Sequence, residues 1–251
     1  MSKFVAMSIS VAISLAVLAG CGTKKDGSHP NTKSAQVHTE LAGLYFERAQ
    51  AGIALSELEK ALEADSDYAP AYGMRGLVHM SLREDNEAED DFKKSLRLDN
   101  TDSETHNNYG WFLCQRGREK ESIPHFMAAV KNPLYQTPAL AYLNAGICSQ
   151  KIGSNKDSEE FLQKALQIQP GMPQALFAMS QLSFSVGDYV TAKRYFVRFS
   201  QNIENLSAEQ LWLAVRIERK LGDRNSEASY GIQLRKRFPD SRETQLMTRG
   251  E

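Results

Sequence analysis

The side chains that most often do chemistry are scarce here: the chain has three cysteines and five histidines among 251 residues. No two histidines have the His-x₃-His spacing, and no two cysteines the Cys-x₂-Cys spacing, of a zinc site. The nucleophile motif Gly-x-Ser-x-Gly, the P-loop and the Gly-x-Gly-x-x-Gly phosphate loop are also absent. The sequence therefore predicts no catalytic residue, no metal site and no small-molecule substrate.

The charges are nearly balanced, with 30 Lys and Arg against 31 Asp and Glu and a formal net charge of -1 at pH 7. No basic cluster dominates, so a nucleic-acid partner is not indicated. The acidic run at residues 84–91 is typical of a solvated turn and helix face.

The first twenty residues have the parts of an export signal. Lys3 gives a positive start, and residues 4–17 form an apolar run interrupted only by serine. That run is shorter than the ~20 residues that a membrane-spanning helix needs. We therefore interpret residues 1–20 as a signal peptide.

The segment Leu18-Ala19-Gly20-Cys21 resembles the bacterial lipobox. The resemblance implies that cleavage precedes Cys21 and that its thiol carries a covalent lipid, the only non-protein group expected. An ordinary signal peptide is the alternative. No aspartate follows Cys21, and an aspartate there resembles an inner-membrane retention signal. We therefore expect a lipid anchor in the outer membrane, with the protein on the periplasmic face.

Residues 21–34 lack apolar periodicity and are predicted to form a flexible tether. The remainder, residues 35–251, repeats with a period near 34 residues. Its markers are four glycines spaced 36, 34 and 35 residues apart, which are Gly117, Gly153, Gly187 and Gly222. No strand-like period of two is present, so the period predicts stacked helix pairs that bury their faces against one another.

This period resembles the tetratricopeptide repeat, whose pattern is a large residue, Leu-Gly and Tyr, followed by Ala, Phe, Ala and Pro. The second copy carries Tyr72, Gly76, Ala88 and Phe92, and the third carries Tyr109, Gly110, Phe126 and Ala129. The resemblance implies an all-α fold, a right-handed superhelix of about six repeats, each with a helix A and a helix B. Gly76, Gly110 and Gly146 should let the two helices approach closely. Pro124 should lie in or near the first turn of a helix B.

In that repeat family, certain positions of helix A line a concave groove. In this register the N-terminal half of the groove carries Phe46, Leu77, Met80 and Trp111, which we interpret as the partner-binding residues. Further along, the same positions carry Cys114, Leu140, Leu143, Ile147, Phe177 and Phe184, and then Trp212, Arg216, Arg219 and Lys220. An exposed apolar stripe suits an apolar peptide or helix. The alternative is a helix phase wrong by one position, with these residues in the core.

Cys114 and Cys148 fall on the A helices of neighbouring repeats. Adjacent A helices pack side by side, which favours a disulfide, since the Cα atoms need to lie about 4.4–6.8 Å apart. An oxidising periplasm favours the same pairing. Two buried free thiols are the alternative.

The lipobox, the tether and the repeats together resemble the type IV pilus biogenesis and stability lipoproteins, the PilF/PilW pilotin group. The closest match is residues 106–117, with Asn144-Ala145-Gly146-Ile147-Cys148, and it includes the cysteine pair. The resemblance implies a pilotin, which binds secretin subunits of the type IV pilus and promotes their outer-membrane localisation and multimerisation. The alternatives are a lipoprotein subunit of the outer-membrane barrel-assembly machinery and a general envelope scaffold bound to peptidoglycan enzymes.

Overall fold

The structure is a computed structural model that describes residues 30–201 and 203–250, and this part of the chain contains helices and turns without a strand. The helices are α1 (Pro30–Glu47), α2 (Ala51–Ala64), α3 (Ala69–Leu82), α4 (Asp85–Leu98), α5 (Ser103–Gln115), α6 (Glu119–Ala129), α7 (Pro138–Lys151), α8 (Asn155–Ile168), α9 (Pro173–Ser185), α10 (Tyr189–Ser200), α11 (Ala208–Leu221), α12 (Arg224–Arg237) and α13 (Arg242–Thr248). The predicted signal peptide and Cys21 lie outside the described residues.

Consecutive helices pair as helix A and helix B of six repeats, from α1 with α2 to α11 with α12, and α13 packs on the last pair. Each repeat also contacts the next one. The predicted all-α solenoid of about six repeats is confirmed.

The predicted end of the tether is wrong, because α1 begins at Pro30 rather than after Ser34. Proline suits the first turn of a helix, where its missing N–H has no partner to lose. The Thr32 hydroxyl donates a hydrogen bond to Asp65 Oδ2 at 2.8 Å, which ties this first turn to the end of α2. Ala35, in the second turn, is fully buried.

Close approach of helices A and B depends on three glycines. A Cβ added to Gly76 would lie 2.9 Å from a ring carbon of Phe92, and one added to Gly110 would lie 2.9 Å from Phe126. At Gly146 the added Cβ would lie 2.7 Å from Leu162 Cγ. These distances are below any normal carbon–carbon contact, so only glycine lets the large residue of helix B sit against helix A. The packing role predicted for these glycines is confirmed.

The turn from helix A to helix B has a left-handed residue in every repeat. The four spaced glycines occupy it with φ between 75° and 86° in the last four repeats. In the first two repeats the same place is held by Ala49, with φ 58°, and by Arg83, with φ 62°. A residue with a Cβ is strained in the left-handed region. The turns at Ala49 and Arg83 are therefore less stable than the turns at the four glycines.

Pro124 lies in the second turn of α6, which starts at Glu119, so the predicted position in or near the first turn is only approximate. Pro124 has no N–H to donate to the carbonyl of Lys120, one turn earlier. Both residues are exposed, so water can hydrogen-bond that carbonyl.

Successive A helices contact each other from α1 to α9, whereas the described B helices make no comparable contacts with one another. The A helices therefore form the inner layer of the solenoid and the B helices the outer layer. The inner layer opens between α9 and α11, where the longer connection 201–207 intervenes.

Candidate partner-binding face

The four predicted groove residues are all half-buried. Phe46 packs against the cluster of the first repeat. Leu77 and Met80 pack against the Phe92 cluster, and Trp111 packs beside the cysteine pair. Each side chain therefore gives part of its surface to the core and part to solvent, a mixture of the two alternatives left open by the sequence.

Three other residues assigned to the groove contribute little surface there. Cys114 is 1 % exposed, Leu143 is 3 % exposed and Trp212 is 8 % exposed. For Cys114 and Leu143 the assignment to an exposed groove is wrong, because they are enclosed in core clusters. Trp212 is buried on most sides but still lines a cavity.

Cys114 of α5 and Cys148 of α7 are joined by a disulfide, with Cα atoms 5.9 Å apart. Two polar contacts lie beside it on the same pair of helices. Asn144 Nδ2 donates to Asn107 Oδ1 at 3.0 Å in a buried position, and Lys151 Nζ donates to the Cys114 carbonyl at 3.3 Å. The inner helices of the third and fourth repeats are thus held by one covalent link and two hydrogen bonds.

A second apolar surface, on α1, was missed in the sequence. Val37, Leu41 and Leu44 are 47 %, 37 % and 52 % exposed. They follow a three-to-four-residue spacing and so share one helix face. In the third repeat the places equivalent to Leu41 and Leu44 are Tyr109 and Phe112, which pack on Phe92 of the preceding repeat. The repeat register could have revealed this face, because among the described residues no repeat precedes α1.

Two cavities lie at the C-terminal end of the inner layer. The larger, about 680 Å³, lies between α9, the start of α10 and α11, and its walls include Phe184, Tyr189, Trp212 and Arg216. The smaller, about 410 Å³, is lined by apolar side chains and by glutamines and shares Gln181 with the first. A third cavity, about 550 Å³, is lined by residues of α1, α3 and α5 and of the connection 130–137, so cavities are present at both ends of the solenoid.

Paired charges stabilise the junction between the second and third repeats. Arg118 donates to both oxygens of Glu89, at 2.9 and 3.0 Å, and Tyr109 donates to Glu89 at 3.0 Å. Burial raises the pKa of Glu89, but the hydrogen bonds from Lys93, Arg118 and Tyr109 outweigh burial and lower it to about 2. The carboxylate is therefore ionised at neutral pH and acts in structure, not in proton transfer.

Within residues 30–201 and 203–250, no three histidine, cysteine or acidic side chains come together as a metal site would require. In the same part of the chain, no helix is long and apolar enough to cross a membrane. The features of the described surface that could bind a partner are its apolar and its charged side chains.

Comparison with known proteins shows which proteins the chain resembles in sequence and in fold. Residues 69–102, the second repeat, match the tetratricopeptide repeat family. The chain is similar to the "Type IV pilus assembly protein PilF" of Pseudomonas aeruginosa, with 28 % identity over 233 residues, 91 % of this chain and 92 % of that protein.

Two solved structures are similar over nearly their whole length. The crystal structure of PilW, a widely conserved type IV pilus biogenesis factor, has 32 % identity and a TM-score of 0.80, and the match covers 85 % of this chain and 98 % of that one. The structure of Pseudomonas aeruginosa PilF has 27 % identity and a TM-score of 0.82, covering 89 % and 100 %.

The helix pairs, the glycine-mediated packing and the concave inner layer define a tetratricopeptide repeat protein, a class built to bind other proteins. Within that class, the chain belongs to the type IV pilus biogenesis family that contains PilF and PilW.

Proposed function

We propose that this protein is a pilotin, a lipoprotein that binds secretin subunits of the type IV pilus and promotes their localisation and multimerisation in the outer membrane. Its membership of the type IV pilus biogenesis family supports this role. The observation that carries the proposal is the apolar surface of the first three repeats, since an exposed apolar patch marks a site of contact with another protein.

The proposed contact surface has two parts. The stripe of Phe46, Leu77, Met80 and Trp111 is half-buried on the inner layer. The face of α1 adds side chains that are up to 52 % exposed. An apolar helix or extended segment of the secretin would bury these side chains, each contributing about 25 cal/mol per Å² removed from water.

The second half of the proposed mechanism is delivery by lipidation. Acylated Cys21 would hold the protein on the periplasmic face of the outer membrane, because two or more acyl chains anchor a protein far more firmly than one. The expected consequence of Cys21→Ser is a protein that still binds secretin subunits but no longer brings them to the outer membrane. Fractionation of inner and outer membranes, probed for secretin, measures this.

The binding surface is tested with Leu77→Glu and Leu44→Glu in cells that make type IV pili. A buried carboxylate without a partner opposes association, so both variants should lose heat-stable secretin multimers and surface pili. Ile232→Glu on α12 is the matched control, since Ile232 is 57 % exposed and lies on the last repeat. It should behave as wild type.

Circular dichroism separates lost binding from lost folding. Leu44 is the more exposed of the two positions, so Leu44→Glu should melt as wild type does. Normal secretin multimers in folded Leu44→Glu and Leu77→Glu would reject the proposed surface. Normal pili together with a general outer-membrane protein defect in the deletion strain would reject the pilotin role in favour of barrel assembly.

A further inference from the structure

The larger C-terminal cavity has walls of two kinds. Its volume of about 680 Å³ falls within the range of about 300–1,000 Å³ typical of ligand pockets. Phe184, Tyr189 and Trp212 give it an aromatic lining, and Arg216 and Lys220 of α11 give it positive charge. The two cations lie four residues apart, and hence on the same face of the helix.

Arg216 differs from the other half-buried arginines in its partners. Arg75 is paired with Asp91, and Arg116 with Asp85, through two hydrogen bonds each. The Arg216 guanidinium instead lies 4.2 Å from the centroid of the Phe184 ring, and no carboxylate of the described residues pairs with it. The Phe184 ring does not neutralise the charge of Arg216. The guanidinium therefore keeps unused hydrogen-bond donors in a partly enclosed site.

Lys220 likewise lies near an aromatic ring and has no carboxylate partner among the described residues. Its Nζ lies 5.9 Å from the centroid of the Tyr189 ring, and it forms no salt bridge within the described residues. The acidic residue Glu209, which also lines the cavity, accepts a hydrogen bond from Gln181 at 2.9 Å. The lining of the pocket therefore carries more positive than negative side chains.

The adjacent smaller cavity extends the site along α9. Its walls carry the apolar side chains Ile147, Phe177 and Ile203, and four glutamines, Gln150, Gln174, Gln181 and Gln210. Glutamine amides can donate to and accept from a peptide backbone. Two cavities that meet at Gln181 fit an extended chain better than a compact small molecule.

We propose that this pocket binds an extended acidic peptide segment of a partner protein. One carboxylate of the peptide would accept hydrogen bonds from Arg216 and Lys220. A neighbouring apolar side chain would pack against the aromatic lining beside Tyr189. The site lies on the fourth to sixth repeats, so it is a second docking point, separate from the N-terminal surface proposed for the secretin.

The test uses the full chain with Cys21→Ser, so that no lipid interferes, and a displayed library of random octapeptides. The chain should select peptides with Asp or Glu next to an aromatic or branched apolar residue, and the same chain with Arg216→Gln should not. The best peptide, labelled with fluorescein, is then compared by anisotropy with its Asn and Gln counterpart. Loss of a charge-assisted hydrogen bond should weaken binding about ten-fold or more, for both the neutral peptide and Arg216→Gln.

Controls make the outcome specific. Arg235→Gln on α12 removes one exposed positive charge outside the pocket and should leave affinity unchanged. Lys220→Gln, at an exposed position, should weaken binding even if Arg216→Gln is found unfolded by circular dichroism. Equal selection by wild type and variant, equal affinity for the acidic and neutral peptides, or no peptide binding would overturn the proposal. So would Arg216-dependent binding to phosphatidylglycerol vesicles without peptide binding. The assay contains no secretin, so failure here leaves the pilotin proposal standing.

Discussion

The ring of Phe126 lies directly against the Cα of Gly110, so closely that a Cβ at position 110 would be 2.9 Å from the ring. This relationship between helix A and helix B recurs in the neighbouring repeats. It means that the stacking of the solenoid depends on a missing methyl group as much as on the aromatic residue that fills its place.

Gly110→Ala should therefore destabilise the protein. Because both residues are buried, the overpacking should cost about 1–3 kcal/mol. Urea unfolding followed by circular dichroism measures the change. Gly52→Ala is the control, since nothing lies within 4 Å of an added Cβ there, and at the second residue of α2 it should gain at most about 0.5 kcal/mol from helix propensity. Equal effects of the two substitutions would contradict the packing argument.

Removal of the disulfide should lower stability without changing the fold. Replacing both Cys114 and Cys148 with serine should cost roughly 3–4 kcal/mol, the loop-closure estimate for a cross-link of this span. Wild-type protein treated with dithiothreitol should unfold at the same urea concentration as the double variant. Two free thiols in untreated protein, detected by mass spectrometry, would show that the bond does not form.

Ala49→Gly should stabilise the protein. Ala49 holds the left-handed turn of the first repeat with φ 58°, where later repeats have glycine. Relief of the Cβ strain, less the extra entropy of the unfolded chain, should give about 0.5–1 kcal/mol. The reverse change, Gly187→Ala, places a Cβ at φ 86° and should destabilise by at least as much. Thermal melts that shift in the same direction for both variants would disprove this account.

His125 should make stability fall in mild acid. Its Nδ1 lies 3.0 Å from Nδ1 of His106, and its ring packs edge-on against Tyr109. Burial, helped by the charge of His106 and opposed by Glu121, lowers the pKa of His125 to about 4. The unfolded chain therefore binds a proton at a higher pH than the folded chain, and stability is lost as pH falls from about 6.5 to about 4.

Urea unfolding at pH 7, 5 and 4 measures this dependence in wild type and in His125→Gln. His125→Gln should lose less stability than wild type between pH 7 and pH 4. The difference between the two losses should be no more than about 2 kcal/mol after solvent screening. Identical pH slopes for the two proteins would mean that His125 is not the group that titrates.

The repeats could be predicted from the sequence because their determinants are single residue types at fixed spacing. Gly110 and Phe126 can be recognised without coordinates, and so can the glycines of the turns. The start of α1 could not, because the polar segment before Ala35 buries little surface and has no apolar period. Its helix is set by a proline and by the contact of Thr32 with Asp65, which joins residues 33 positions apart.

The binding face was predictable only in outline. Repeat register places Met80 and Cys114 on equivalent inner positions, yet Met80 is half-buried and Cys114 is 1 % exposed. The difference arises because Cys114 is bonded to Cys148 of the next inner helix and packs in the cluster with Phe126, contacts that the repeat pattern alone does not specify. For the same reason, the lack of a carboxylate partner for Arg216 becomes visible only in three dimensions.

The disulfide also has a mechanical consequence. It closes the chain between Cys114 and Cys148, so a pull on the two ends of the oxidised protein cannot extend residues 115–147. The repeats on either side can be drawn out to their full contour length, while residues 115–147 add none. The covalent link thus fixes the length of the chain at the junction of the third and fourth repeats, in the middle of the solenoid.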